Sequence, residues 1–314
     1  MNSKVLKEHL KAFCGLLHPN QEVDNYICKV ELLLSMTLQN LVDGIFVDTD
    51  GTNGGNYGAI VLEDEVVMID AGMIHTKSSE AKDFLVKETS LPILKLIFTH
   101  SHSDHVFGAQ AFEPVSLIAS APTRKQCEEN LKGDWKAERL KKSYADTKDE
   151  RPDLWYALHD LSIRLPDVVF KTYIFLGNNE EISVKLLGGH TAGSSTIISH
   201  PHQVIFIGDL VFSGQFPYGG DSTCDPDRWI MALEEILNLG IETIIPGHGP
   251  VCGLAELEEY MQALMDLRAN VEDATSSGMS VEEFINEGMI PQEIANGAER
   301  FAERTLNHWF QFYG

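Results

Sequence analysis

At 314 residues, with 43% hydrophobic and 9% aromatic side chains, the chain can bury a large core as one domain or a domain with an appendage. Its 47 acidic against 24 basic residues give a formal charge of −23, which argues against nucleic-acid or anionic-membrane partners, since both need a basic face. No stretch reaches the roughly 18 to 20 apolar residues of a membrane helix. No secretory signal is read, and Cys14, Cys28, Cys127, Cys224 and Cys252 are odd in number and scattered, so a cytoplasmic location with free thiols is expected.

Residues 1–40 read as an amino-terminal extension: a helix at 4–17, a turn, and a strand at 26–34, packing on the main domain or on a second subunit. A domain at 41–253 follows, opening with strands at 44–47, 58–62 and 65–69 in a meander. The loop Thr52-Asn-Gly-Gly-Asn-Tyr-Gly58 lacks the spacing of a dinucleotide-binding turn. The third strand ends in Ile69-Asp-Ala-Gly72, where Asp70 is expected to accept a hydrogen bond from a liganding imidazole and fix its tautomer. His75 reads as an exposed loop histidine.

A helix at 79–89 and a strand at 94–98 complete a βαβ unit. The strand runs into Thr99-His-Ser-His-Ser-Asp-His105, at the carboxyl edge where α/β sheets place their ligands. Three of the chain's 12 histidines and an aspartate within six residues suit a borderline metal such as zinc. A helix is expected at 106–112 and a strand at 116–119. Residues 120–165 are then a helical insertion carrying 10 of the 24 Lys and Arg, either a solvated face or a wall of the substrate pocket.

The second half offers strands at 171–176, 182–187, 196–199 and 204–207, a helix at 227–239 and a strand at 243–245. The strand ends carry Gly188-Gly-His-Thr191, Gly208-Asp209 and Pro246-Gly-His-Gly249. Residues 254–314 read as a helical segment packed on the main domain, with helices at 255–270 and from a Ser280-Val-Glu-Glu283 capping box, and a tail at 300–313. The aromatic tail Trp309-Phe-Gln-Phe-Tyr313 docks on its own domain, closes a dimer, or walls a pocket.

Together these motifs resemble the metallo-β-lactamase fold superfamily of metallohydrolases, over residues 41–251. The stretch 208–251 looks like the glyoxalase II-like and related hydrolase branch, from which the insertion at 120–165 departs. The resemblance implies an α/β fold, a four-layer αββα sandwich with its metals at one edge. It implies two divalent ions, zinc first, with iron or manganese as alternatives. His100, His102 and His190 would hold one ion, Asp104, His105 and His248 the other, and Asp209 would bridge. A metal-bridging hydroxide would then attack a small ester, thioester, lactone or lactam, with Asp104 also steering the proton. Tyr218 is either a substrate-polarising hydroxyl or a loop aromatic. The alternatives are an iron-dependent oxygenase of the persulfide dioxygenase type and a non-catalytic metal-binding scaffold.

Overall fold

The computed structural model describes residues 38–314. The helix and strand expected at 4–17 and 26–34 lie outside them.

Two sheets form the centre. In the first, seven strands follow chain order: β1 (Gln39–Val42), β2 (Ile45–Asp48), β3 (Tyr57–Val61), β4 (Val66–Ile69), β5 (Ile93–Ile97), β6 (Ser116–Ser120) and β7 (Val168–Phe170). The first four strands are antiparallel and β4 to β7 are parallel. The second sheet is ordered β12-β11-β10-β9-β8, from β8 (Tyr173–Leu176), β9 (Ile182–Leu186), β10 (Ser195–Ser199), β11 (Val204–Phe212) and β12 (Thr243–His248).

The side-chain period of two makes the layers. Val67, Ile69, Ile97 and Ile118 of the first sheet meet Ile182, Val184, Ile197, Phe206 and Ile245 of the second in one buried cluster. Their neighbours Met68, Leu96, Phe98, Leu117 and Ala119 face outward, against α1 (His75–Thr89) and helices of the insertion. On the other side Ile205, Ile207 and Ile244 pack with α7 (Pro226–Leu237), α8 (Leu254–Ser277), α9 (Val281–Asn286) and α10 (Ala298–Tyr313). The result is helix, sheet, sheet, helix, as the resemblance implied.

Three local readings are corrected. The first helix begins at His75 rather than residue 79, because Asn53 reaches across to hold its entry: Asn53 Oδ1 accepts from Ile74 N at 2.7 Å and its carbonyl from Met73 N at 2.7 Å. His75 is thus a helical residue whose side chain is only 14% exposed, 3.5 Å from Asp160. The helix expected at 106–112 is a short α2 (Ser103–Val106) continued as a 3-10 turn (Phe107–Phe112). The strand expected at 204–207 runs on to Phe212, through Gly208 at φ +52°, so Asp209 lies within β11. Strands β1 and β7 have no counterpart in the sequence reading.

The insertion forms α3 (Ala121–Lys132), α4 (Ala137–Ser143), α5 (Thr147–Glu150) and α6 (Pro152–Ala157). It is anchored by Trp135, Leu140, Leu154 and Leu158 in the core, with Trp135 edge-on to Phe107 at 5.1 Å.

Candidate metal centre

All seven sequence-predicted ligands converge at one end of the sandwich. His100 and His102 follow β5, Asp104 and His105 sit on α2, His190 lies between β9 and β10, Asp209 is in β11, and His248 ends β12. His100 Nε2 lies 3.1 Å from His102 Nδ1, which lies 3.0 Å from His190 Nε2. Asp209 Oδ2 is 3.5 Å from both His100 and His190 Nε2. Tetrahedral zinc with bonds of about 2.0–2.1 Å has ligand-to-ligand edges of roughly 3.3 Å, the scale of these separations. A second group stands beside it: His248 Nε2 is 3.3 Å from Asp104 Oδ2 and 3.5 Å from Asp209 Oδ2, and His105 Nε2 is 3.0 Å from Asp209 Oδ1. Asp209 therefore touches both groups.

Hydrogen bonds behind the rings decide which nitrogens face inward. Asp70 accepts from Thr99 N at 2.8 Å and Thr99 Oγ1 at 2.7 Å. With its hydroxyl proton given to Asp70, Thr99 Oγ1 accepts from His100 Nδ1 at 3.0 Å. Asp70 Oδ2 also accepts from His105 Nδ1 at 2.9 Å, and Asp221 Oδ2 from His102 Nε2 at 3.2 Å. These bonds use the ring protons, so His100 Nε2, His102 Nδ1 and His105 Nε2 are bare in the neutral tautomers. Bare lone pairs cannot hydrogen-bond one another. The buried His105 Nε2 and Asp209 Oδ1 lie 3.0 Å apart, yet neither makes an aligned hydrogen bond among the described residues. Atoms aimed at a common point rather than at each other fit a bound cation.

The electrostatics agree. Burial alone would lower His105, but Asp209, Asp70 and Asp104 outweigh it and hold it well above the usual histidine value. Against burial, Asp209 and Asp104 raise His248 to about 9. Burial dominates at His100 and His190 and lowers both. Asp209 is held well below the carboxylate range, its burial outweighed by His105, His248 and His100. Surplus negative charge thus draws protons onto two rings wherever no metal neutralises it.

Close backbone approach is part of the construction. A Cβ at Gly247 would collide with the Asp209 carboxylate, and one at Gly55 with the His105 ring. Asn56, which the sequence reading did not single out, ties the two loops together. Its amide donates to the Pro246 carbonyl at 2.9 Å and the Gly249 carbonyl at 2.8 Å, and its N–H to Gly247 O at 2.7 Å. Asp221 was also missed; nothing marks it in sequence, since its histidine partner lies 119 residues away.

Four of the seven, His102, Asp104, Asp209 and His248, line a cavity of about 720 Å³, within the usual range for small-molecule sites. Its walls include Trp135, Tyr144, Arg151 and Leu154 from the insertion, Tyr218, and Arg300, Phe301 and Arg304 from α10. The insertion and the carboxyl-terminal helix therefore both shape the pocket. Tyr218 sits edge-on to His102 at 5.5 Å, half-buried, with one side on the hydrophobic core and the other lining the cavity.

Comparisons with known proteins agree with this architecture. The family model described as "Metallo-beta-lactamase superfamily" matches residues 50–248. Among curated proteins, the acyl-coenzyme A thioesterase MBLAC2 of Gallus gallus is 27% identical over 172 residues, 52% of this chain and 59% of that protein. A linear primary-alkylsulfatase of Pseudomonas sp. (strain ATCC 19151) is 20% identical over 259 residues, 73% of this chain and 49% of that protein. The chain thus spans only 59% and 49% of the length of these two relatives. Of solved structures, a metallo-beta-lactamase from Pontibacter korlensis aligns with TM-score 0.57 at 19% identity, covering 73% of this chain and 98% of that one. One from Hirschia baltica aligns with TM-score 0.55 at 18% identity, covering 72% and 95%. At such identities the likeness concerns the fold alone.

Proposed function

The chain belongs to the metallo-beta-lactamase superfamily, and from that premise we propose a cytoplasmic dinuclear zinc hydrolase of a small ester or thioester, with lactones and lactams as cyclic forms of the same chemistry. The reading is carried by one observation: hydrogen bonds engage the outer ring nitrogens of His100, His102 and His105, so that in the neutral rings the inner nitrogens are bare at two adjoining points that share Asp209. The likeness to a thioesterase supports testing a thioester first among the substrates.

Zinc held there would supply Lewis acidity and acidify a bound water toward neutral pH. His100, His102 and His190 would hold one ion, and Asp104, His105 and His248 the other, with Asp209 between them. Asp104 stays ionised, because His105 and His248 outweigh its burial. One of its oxygens faces His248, and the residue lines the cavity. We assign it the acceptor role for the proton released as water attacks. Burial and then Asp221 raise the Tyr218 phenol, with Arg304 opposing, so the hydroxyl keeps its proton at neutral pH. It donates a hydrogen bond to the substrate.

Elemental analysis of protein purified without added metal, with thioester hydrolysis before and after chelation, tests this reading. Two zinc ions per chain and activity lost on chelation and restored by zinc are expected. Full turnover after metal removal overturns it, as does a single iron with oxygen uptake on a persulfide. Asp209→Ala is expected to abolish dinuclear binding and activity while circular dichroism shows the fold kept.

A further inference from the structure

In a protein of formal charge −23, three arginines line the cavity above the metal ligands. Arg151 is partly committed, donating to Asp153 at 3.2 Å and to the Thr52 carbonyl at 2.8 Å. Arg300 and Arg304 are less so: Arg300 stacks on an aromatic ring and Arg304 donates toward the Tyr218 hydroxyl. Neither makes an ion pair with a carboxylate among the described residues. They stand four residues apart on α10, so their side chains share one face of the helix. Arg300 lies over the Phe301 ring at 4.7 Å, and Arg304 stands beside Tyr218, which packs against His102.

The helix that carries them is fixed from its opposite face. Ala302, Thr305, Leu306 and Trp309 are buried, and Thr305 Oγ1 accepts from Gly219 N at 2.8 Å while donating to Pro217 O at 3.1 Å. The acids that line the cavity are otherwise engaged. Asp104 and Asp209 belong to the metal cluster, and Asp50 accepts from Thr52 N at 2.7 Å. Two exposed guanidinium groups thus border the cavity on a fixed helix, and beyond the Arg304–Tyr218 contact their donors face no acid among the described residues.

We propose that Arg300 and Arg304 form a subsite for a phosphate monoester on the substrate, remote from the bond that is cleaved. The proposal rests on the hydrolase reading above. A carboxylate is satisfied by one bidentate guanidinium, whereas a phosphate monoester offers three acceptor oxygens and close to two negative charges, which suits a pair. The arginines bind and orient the substrate and take no part in bond cleavage.

The test compares hydrolysis of acetyl-phosphopantetheine, acetyl-pantetheine and S-acetylglutathione by the zinc-loaded protein and by its Arg300→Gln, Arg304→Gln double variant. Binding of phosphopantetheine and pantetheine to both proteins is measured by calorimetry. The wild type is expected to favour the phosphorylated thioester through KM. The double variant should lose at least about 150-fold more kcat/KM on that thioester than on acetyl-pantetheine, the lower end of the scale for two charge-assisted hydrogen bonds. The phosphopantetheine Kd should weaken by a similar factor relative to pantetheine. Equal losses on all three thioesters overturn the subsite and leave a structural role for the arginines. An arginine-dependent advantage confined to S-acetylglutathione overturns phosphate in favour of carboxylate. If no thioester is turned over, the thioester part of the hydrolase reading fails, and the calorimetric difference alone decides the subsite.

Discussion

Asp70 shows how much one residue organises. It sits at φ +57°, a left-handed conformation that aspartate tolerates better than most residues. From there one carboxylate orients His105 directly and His100 through Thr99. Asn also tolerates that backbone, so Asp70→Asn tests the carboxylate alone. One of its acceptor oxygens becomes an NH2 that cannot accept from Thr99 or His105. Metal affinity is expected to fall roughly 10- to 100-fold with little change in fold, read by titration against a competing chelator. Gly55→Ala would act by crowding, because its new Cβ meets the His105 ring. On the dinuclear reading, loss of one of the two metals is the expected result, and a full complement by elemental analysis would show that the loop can yield. Asp70 was legible because an acid ending a strand-like run has few other uses. Asp221 and Asn56 were not, because each acts across a long chain separation that only folding closes.

Among the elements, α10 has two faces with separate duties. Trp309 is fully buried among residues of α7, α8 and β11, while Arg300 and Arg304 border the cavity. Trp309→Ala is expected to cost about 3–5 kcal/mol in urea denaturation, the usual cost of deleting a buried aromatic. A cost under about 1 kcal/mol would mean that the helix is not part of the cooperative core. The central strands were readable as short apolar runs, their boundaries within a few residues. Strand β1 was not, since its four residues are mostly exposed and show no alternation. The extension of β11 depended on the positive φ of Gly208, which lets the strand bend and continue through the aspartate.

At the scale of the molecule, the charge balance around the cluster predicts how metal-free protein responds to pH. Asp209 and Asp104 raise His248 to about 9 and, with Asp70, raise His105. Groups raised in the fold stabilise it fully below the unfolded value of 6.5, and that stability is lost as pH climbs toward 9. His100 and His190 are lowered, so below 6.5 the unfolded chain takes up protons that the fold refuses, and stability falls in that direction too. Thermal unfolding of chelator-stripped protein from acid to alkaline pH should therefore peak near 6.5. A melting temperature rising steadily from 6.5 to 9 would contradict the assignment. Zinc needs neutral His105 and His248, so its uptake should release protons near neutral pH, measurable by calorimetry in buffers of different ionisation enthalpy. The sequence by itself determined the seven candidate ligands, the family they resemble and the layered α/β plan, because motif spacing and strand periodicity are local properties of the chain. Only the tertiary structure decided that the ligands meet, which nitrogen each of His100, His102 and His105 presents, and that the insertion and the last helix wall one cavity with three arginines. Those depend on contacts between residues far apart in the chain, such as His102 with Asp221 and Asn56 with Pro246, and no local pattern records them.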